Sequence, residues 1–419
     1  MIASHRRAFN ASWSEAKFAG LRSKLEVHAG GPLGFPISET PCFFPRSLMN
    51  DLSAAGGELV AQTLTNPAVV AAAEAAVPQR FRGPGAEARP TFLQVDFGLV
   101  RGPEGTITPK LVEMQAFASL YGFQLAIAEA YREAFSLSPS LSPFLGGLDG
   151  PSYHALVGEA ILGGHDPHEV VLMEIEPRRQ KTWPDFVVTE AMWGVRAVDT
   201  AEVTRAGRRL YYQRDGQQVQ IKRIYNRVIP DELERKSVQL PFDYRDDLDL
   251  EWAGHPSWYF RISKFSIPWL RHPSVPPTWF LHELDRLPED RDRYLLKPLF
   301  SFAGGGIIFS PTDADIAAIP VAERQNYILQ ERISFAPVIG TPDGATQAEI
   351  RMMYVWTPST LREPQGRPEQ GRGTTSLRAG GFHPVLPLIR MGRGKMMGVD
   401  HNKGFKWVGA SAALIDDAI

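Results

Sequence analysis

The sequence predicts an α+β protein with mixed or antiparallel sheets and a small open α/β domain. Three observations carry that prediction. Two apolar runs, 91–100 and 110–115, flank a turn holding Gly102, Pro103, Glu104 and Gly105, and read as adjacent antiparallel strands. Residues 294–310 read strand, lysine, glycine turn, strand: Tyr294-Leu295-Leu296 ends at Lys297, then come Gly304, Gly305 and Gly306, then Ile307-Ile308-Phe309. Between these, an apolar run at 170–174, a helical pattern at 184–193 and a strand pattern at 195–198 give the β-α-β order of a small parallel sheet.

In chain order, residues 1–50 hold short helical signals and then Gly30-Gly31-Pro32, Pro36 and Pro41, the pattern of a segment that wraps on another domain. Residues 51–78 are alanine-rich and helix-prone. Asn66-Pro67 breaks them, because a proline disfavours the helical conformation of the residue before it. A Gly, Pro and Arg loop at 80–90 closes this first region, 1–90.

In the second region, 91–168, Asp96 stands in the first strand. Glu113 and Gln115 share one face of the second, being two residues apart. Residues 117–135 read as an amphipathic helix with Leu120, Phe123, Ala126, Ile127 and Tyr131 on its apolar side, and a short helix lies near 154–161. The small α/β domain takes 169–235. Its hairpin strands, 209–213 and 218–224, turn at Asp215-Gly216, and the second runs on into Tyr225-Asn226-Arg227. Asp231-Glu232-Leu233 open a short helix.

Residues 236–419 complete the core. Lys264 is placed on a short strand, and 280–287 and 311–319 read as short helices. Strand patterns follow at 327–333, carrying Gln330 and Glu331, and at 349–356, carrying Arg351. The Gly, Pro and Arg-rich stretch 358–382 reads as a long mobile loop, a candidate to order over substrate. Closing strands are predicted at 385–389 and 395–399 with Arg390 and Arg393 in the turn between them, and a final helix at 411–419.

Composition narrows the function classes. A chain of 419 residues, 43% hydrophobic, supports two or three domains with a large core. A formal charge of −2, from 45 basic and 47 acidic side chains, gives no reason to expect a nucleic-acid partner. A single cysteine, Cys42, excludes an internal disulfide framework and any Cys-rich metal centre. The opening MIASHRRAFNASW has no apolar run after its charges, and later apolar stretches are too short or too broken for a bilayer. The expectation is a soluble cytoplasmic protein with no membrane or nucleic-acid partner.

A hairpin with a glycine tip can close over a phosphate chain, since backbone N–H groups without side chains approach an anion closely. Lys297 adds a point charge, and Lys264 is a second candidate cation. Asp96, Glu113 and Gln115 are hard oxygen ligands of the kind magnesium takes alongside phosphates. Each feature also has a plainer reading, as an ordinary hairpin with a surface lysine or the polar face of a solvated sheet. No G-x-x-x-x-G-K-[ST], G-x-G-x-x-G or H-E-x-x-H motif occurs.

Taken in order, Asp96, Glu113, Gln115, Lys264, Lys297, the three glycines, Glu331 and Arg351 resemble the ATP-grasp superfamily. More narrowly they resemble its circularly permuted branch, which includes the synthetase domain of glutathionylspermidine synthase and in which the metal strands precede the nucleotide lysines. The resemblance covers roughly residues 91–400. It implies two α+β subdomains holding ATP and Mg2+ between them. Lys297 with Pro298 and Gly304, Gly305 and Gly306 would be the phosphate lysine and lid, and Lys264 the earlier nucleotide lysine. Gln330 and Glu331 would form the hinge pair, and Asp96, Glu113 and Gln115 the metal ligands. Residues 187–233 would form the pre-ATP domain. Two positions depart from the pattern. Gln115 stands where asparagine is usual, and Gln94 where an arginine often lies, which leaves Arg351 or Arg390 to replace that arginine.

The implied activity is ATP-dependent carboxylate–amine ligation. A carboxylate attacks the γ-phosphorus, an acylphosphate forms, and an amine displaces phosphate. Lys297, Arg351 and Arg390 would stabilise the transferring group, and the substrates would be small-molecule or peptide-like carboxylates and amines. A phosphotransferase on the same fold, or an inactive ATP-grasp-like binding or scaffold protein, are the alternatives.

Overall fold

The computed structural model describes residues 1–102, 104–301, 304–358, 381–398 and 401–417. Residues 359–380 of the expected mobile loop lie outside the described residues.

The central sheet is assembled from strands far apart in the chain. β2 (Phe92–Arg101) and β3 (Ile107–Gln115) form the expected antiparallel pair. The other edge of β2 takes β17 (Gly344–Val355), followed by β18 (His383–Gly392) and β19 (Gly409–Asp416), all antiparallel. β1 (Cys42–Pro45) completes the order, parallel to β19. Short strands β16 (Ile339–Thr341) and β4 (Leu141–Ser142) pair with β17 and β19.

Alternation along β17 sends Ile350, Met352 and Tyr354 into the core with Met49, Leu52 and Leu59 of α3 (Arg46–Thr65). Glu349 and Arg351 therefore point to the opposite face. α4 (Pro67–Ala76) follows α3 after the expected break, with the Asn66 side chain accepting from the Ala68 N–H. The wrapping segment is α1 (Ala3–Ser12) and α2 (Glu15–His28), which pack with α5 (Tyr121–Ala134) around Phe9, Leu21, Leu25, Phe43 and Tyr131.

The small α/β domain has a parallel four-stranded sheet in the order β11-β10-β5-β6, from Glu251–Ala253, Arg223–Asn226, Val170–Glu174 and Arg196–Asp199. α7 (Trp183–Trp193) is the crossover from β5 to β6, and α6 (Gly150–Leu162) packs beside it. An antiparallel meander of β7 (Thr204–Ala206), β8 (Arg209–Arg214) and β9 (Gln217–Ile221) is appended, and α8 (Pro230–Arg235) follows β10. The turn at Asp215 and Gly216 has φ of 52° and 81°, the left-handed pair a two-residue hairpin needs.

A third sheet, β12-β15-β13-β14, joins Thr278–Phe280, Tyr327–Glu331, Tyr294–Pro298 and Ile308–Phe309 antiparallel. Its outer face buries Leu296 against Leu281, Ile316 and Ile319, the latter two from the end of α10 (Asp313–Ala317) and beyond. Its inner face sends Phe280 and Ile328 into the main core. α9 (Ser257–Arg261) precedes it. No helix among the described residues is long and apolar enough to cross a membrane.

Several expected elements differ. The predicted final helix is strand: Gly409–Asp416 is rich in helix formers but buried between β1 and β18, and pairing on both edges overrides propensity. Lys395 to Gly398 form no strand. They belong to a loop held by Asn402, which accepts from Arg393 and Gly394 N–H and donates to the Met396 and Gly398 carbonyls. Arg390 lies on β18 rather than in a turn. The helix expected at 280–287 is β12 followed by one 3-10 turn, Leu281–Glu283. Lys264 opens a 3-10 helix, Lys264–Trp269, because Ser263 caps it. α5 starts four residues later than expected, since Leu120 is left-handed at φ 64°. The second hairpin strand of the small domain splits at Lys222 into β9 and β10, which serve different sheets.

Candidate functional site

Register brings the acids and arginines together. Asp96 faces Glu113 across β2–β3 and Arg351 across β2–β17, while Gln94 faces Gln115 and Glu349 faces Arg390. Val112 is the extra residue of a bulge between the Asp96–Glu113 and Phe97–Leu111 pairs. Arg351 clasps Asp96 with both arms of its fork, Nε to Oδ1 and Nη2 to Oδ2, each at 2.6 Å. Arg390 Nη2 donates to Asp96 Oδ2 as well and pairs with Glu349. Arg351 Nη1 and Gln115 Nε2 both donate to Gln94 Oε1, at 2.9 and 2.6 Å. Glu113 stands 3.7 Å from Arg351.

These pairs set the charges. Burial alone would raise the Asp96 carboxyl, but Arg351 and Arg390 hold it below its ordinary range. Burial raises Glu349, and Arg390 only partly offsets that. Arg390 itself is held above its ordinary value by Glu349 and Asp96 despite burial. Among the described residues no group of three or more His, Cys, Asp or Glu could hold a metal ion. Asp96 is engaged by two arginines, which leaves Glu113 and the Gln115 carbonyl oxygen as the expected ligands still open to one.

Facing this sheet across a cleft of about 730 Å³ are β13 and β15. Lys297, 4% exposed, reaches over the cleft and donates to the Val112 carbonyl at 3.3 Å and to Gln330 Oε1 at 2.5 Å. The bulge leaves that carbonyl available. Lys264, 7% exposed, lies in an adjoining recess of about 130 Å³ with Glu113 and Gln115, and donates to the Ser301 carbonyl at 2.6 Å. Burial lowers both ammonium groups, Lys297 to about 8. The described hydrogen-bond partners of both lysines are neutral oxygens. Gly304 lines the cleft at φ 76°, and a Cβ there would run into the Met396 methyl of the Asn402-held loop. Glu331 pairs with Arg293.

The cleft has a second end that the sequence reading did not single out. β5 connects to β6 on one side and β10 pairs on the other, so the carboxyl ends of β5 and β10 flank a switch point of the parallel sheet. Glu174 ends β5 and Arg227 follows β10, both buried and both lining the cleft. Burial raises Glu174 to about 8. Arg227 donates to Asp185 at 2.7 Å, and that carboxylate holds the Arg227 guanidinium above its ordinary value despite burial. Asp185 in turn accepts from Leu120, Gly122 and Phe123 N–H, each at 3.0 Å. A charged residue closing the apolar run Val170-Val171-Leu172-Met173 was the available signal for Glu174. Phe117, Leu120, Phe123 and Ile127 form an apolar wall between the two ends.

No family model matches the chain, and no curated protein matches it in sequence. Among solved structures it is similar to a glutathione synthetase-like effector, GSS30, from Globodera pallida in its apo form. The TM-score is 0.57 at 12% identity, covering 96% of each chain. The fold resembles that of this effector. That likeness is one of architecture: an α+β chain whose mixed and antiparallel sheets enclose a cleft.

Proposed function

We propose that the chain binds ATP, or a close nucleotide relative, in the cleft between the central sheet and the β13–β15 sheet, as an ATP-grasp-like binding protein. One observation carries this reading: two buried ammonium groups, Lys264 and Lys297, whose described hydrogen-bond partners are neutral oxygens, beside a glycine turn. Buried cations hydrogen-bonded only to neutral oxygens are poorly compensated, and a polyphosphate adds negative charge to the little that Glu113 supplies. Glycine at the tip lets backbone N–H groups approach it. Glu113 and Gln115 would hold a magnesium ion carried chiefly by the phosphates, and the ion would neutralise phosphate charge.

ATP-dependent carboxylate–amine ligation is the second reading. Arg351 and Arg390 border the cleft beside Lys297, where their forks suit a carboxylate or a transferring phosphoryl group. The binding reading stands first because both forks are already engaged, by Asp96 and Glu349.

Calorimetric titration with ATP, with and without magnesium, tests both on the parent, Lys297→Ala and Glu113→Ala. The expected result is binding by the parent, at least tenfold loss in Lys297→Ala, and lost magnesium dependence in Glu113→Ala. A folded parent that does not bind ATP overturns both readings. ADP release that needs an added carboxylate and an added amine promotes the ligase.

A further inference from the structure

The N-cap of α5 is built against local preference. Leu120 stands there at φ 64° and ψ 25°, the left-handed region that glycine or asparagine enters readily and leucine only at a cost. The strain is held from outside, since Asp185 accepts from the Leu120 N–H at 3.0 Å and Arg227 fixes Asp185. Strain maintained in this way at the edge of a cavity points to function. The Leu120 side chain lines the cleft and is only half-buried. Phe35, from the segment before β1, is also half-buried and lines the same cleft. It meets Phe123 edge to face, with ring centroids 5.9 Å apart. Buried Phe117, Phe123 and Ile127 complete the apolar wall. Charge surrounds that wall. Among the described residues lining the cleft, ten are Arg or Lys and five are Glu, in a chain whose formal charge is −2. A cleft of one dominant sign gathers ligands of the other, and a magnesium-bound nucleotide neutralises only part of this excess.

We infer that the cleft takes a second ligand, an organic acid with an apolar alkyl or aryl body that lies on Leu120 and Phe35. The inference rests on the cleft being the ligand site and names the class of the occupant beside the nucleotide. The cationic surround attracts the acid group. The wall takes the body out of water and offers it no hydrogen-bond partner, so a hydroxyl- or amide-rich body is disfavoured there.

Calorimetric titration of the full chain with three probes tests this. The parent is expected to bind 4-phenylbutyrate at least about tenfold more tightly than butyrate, which lacks the ring, and than 4-phenylbutan-1-ol, which lacks the charge. Leu120→Asn and Phe35→Ala are each expected to weaken 4-phenylbutyrate by about fivefold or more. Asparagine accepts the left-handed conformation, so Leu120→Asn is expected to keep the parent's thermal midpoint to within a few degrees. A leucine that served packing alone would instead lower the midpoint and leave the probe's affinity unchanged. Failure of the parent to bind 4-phenylbutyrate, equal binding of it and either control, or affinity undiminished in both variants overturns the proposal. The nucleotide reading is decided separately by the ATP titration of the parent, in which none of these probes takes part.

Discussion

Burial takes the Lys297 ammonium out of water and lowers it to about 8. Between that value and the ordinary lysine range, the unfolded chain holds a proton that the folded chain has released. Stability therefore rises with pH across that window. Lys297→Met is expected to flatten this rise, read as denaturation midpoints at pH 7.5 and 9.5. An anion arriving at the cleft restores the charged form. Nucleotide binding above pH 8 is accordingly expected to take up a proton, seen as a binding enthalpy that varies with the ionisation enthalpy of the buffer. Glu174 has the opposite sign. Its carboxyl is raised to about 8, so the folded chain keeps a proton that the unfolded chain loses from the ordinary glutamate range upward, and stability falls with pH over that window. Glu174→Gln is expected to remove the fall and to be more stable than the parent at pH 8, measured by chemical denaturation at pH 5.5 and 8.

At the scale of elements, α5 depends on a carboxylate from another helix. Its local N-cap position, Leu120, is left-handed and offers no side-chain acceptor, so Asp185 of α7 takes three N–H groups and the Arg227 charge together. Asp185→Ala strands all of them in the interior. It is expected to cost roughly 3–5 kcal/mol in urea denaturation, with Asp185→Asn costing less. Contacts of this kind explain what the sequence revealed and what it hid. Asn66-Pro67 and Asp215-Gly216 act within a few residues, and both breaks fall where their chemistry places them. Asp96 and Glu113 lie on neighbouring strands joined by a short turn, so their meeting was legible. The Arg390 pair with Glu349 depends on the register of strands separated by a long connection, and the Asp185–Arg227 pair on how a helix packs against a sheet. Neither leaves a periodic trace. β19 misled for a related reason: alanine-rich composition is a local signal, while its two strand partners are remote.

At the scale of the molecule, Lys297 reaches from one sheet to a bulge carbonyl on another and so ties the two walls of the cleft together. A ligand that binds only the folded chain stabilises it by mass action, by about 2.7 kcal/mol at a hundredfold excess over Kd. ATP at a hundredfold excess over the parent's Kd is expected to raise the thermal midpoint by a few degrees in the parent and by no more than about half as much in Lys297→Ala, checked by scanning calorimetry.

The pairing of β1 with β19 sets Cys42 opposite Ala413. Residues so far apart leave the ribosome at different times. At ordinary elongation rates, Phe43 and Phe44 wait on the order of 20–70 s for the strand that covers them. Throughout that interval the nascent chain carries an unfinished apolar sheet edge, the surface that holdase chaperones and aggregation compete for.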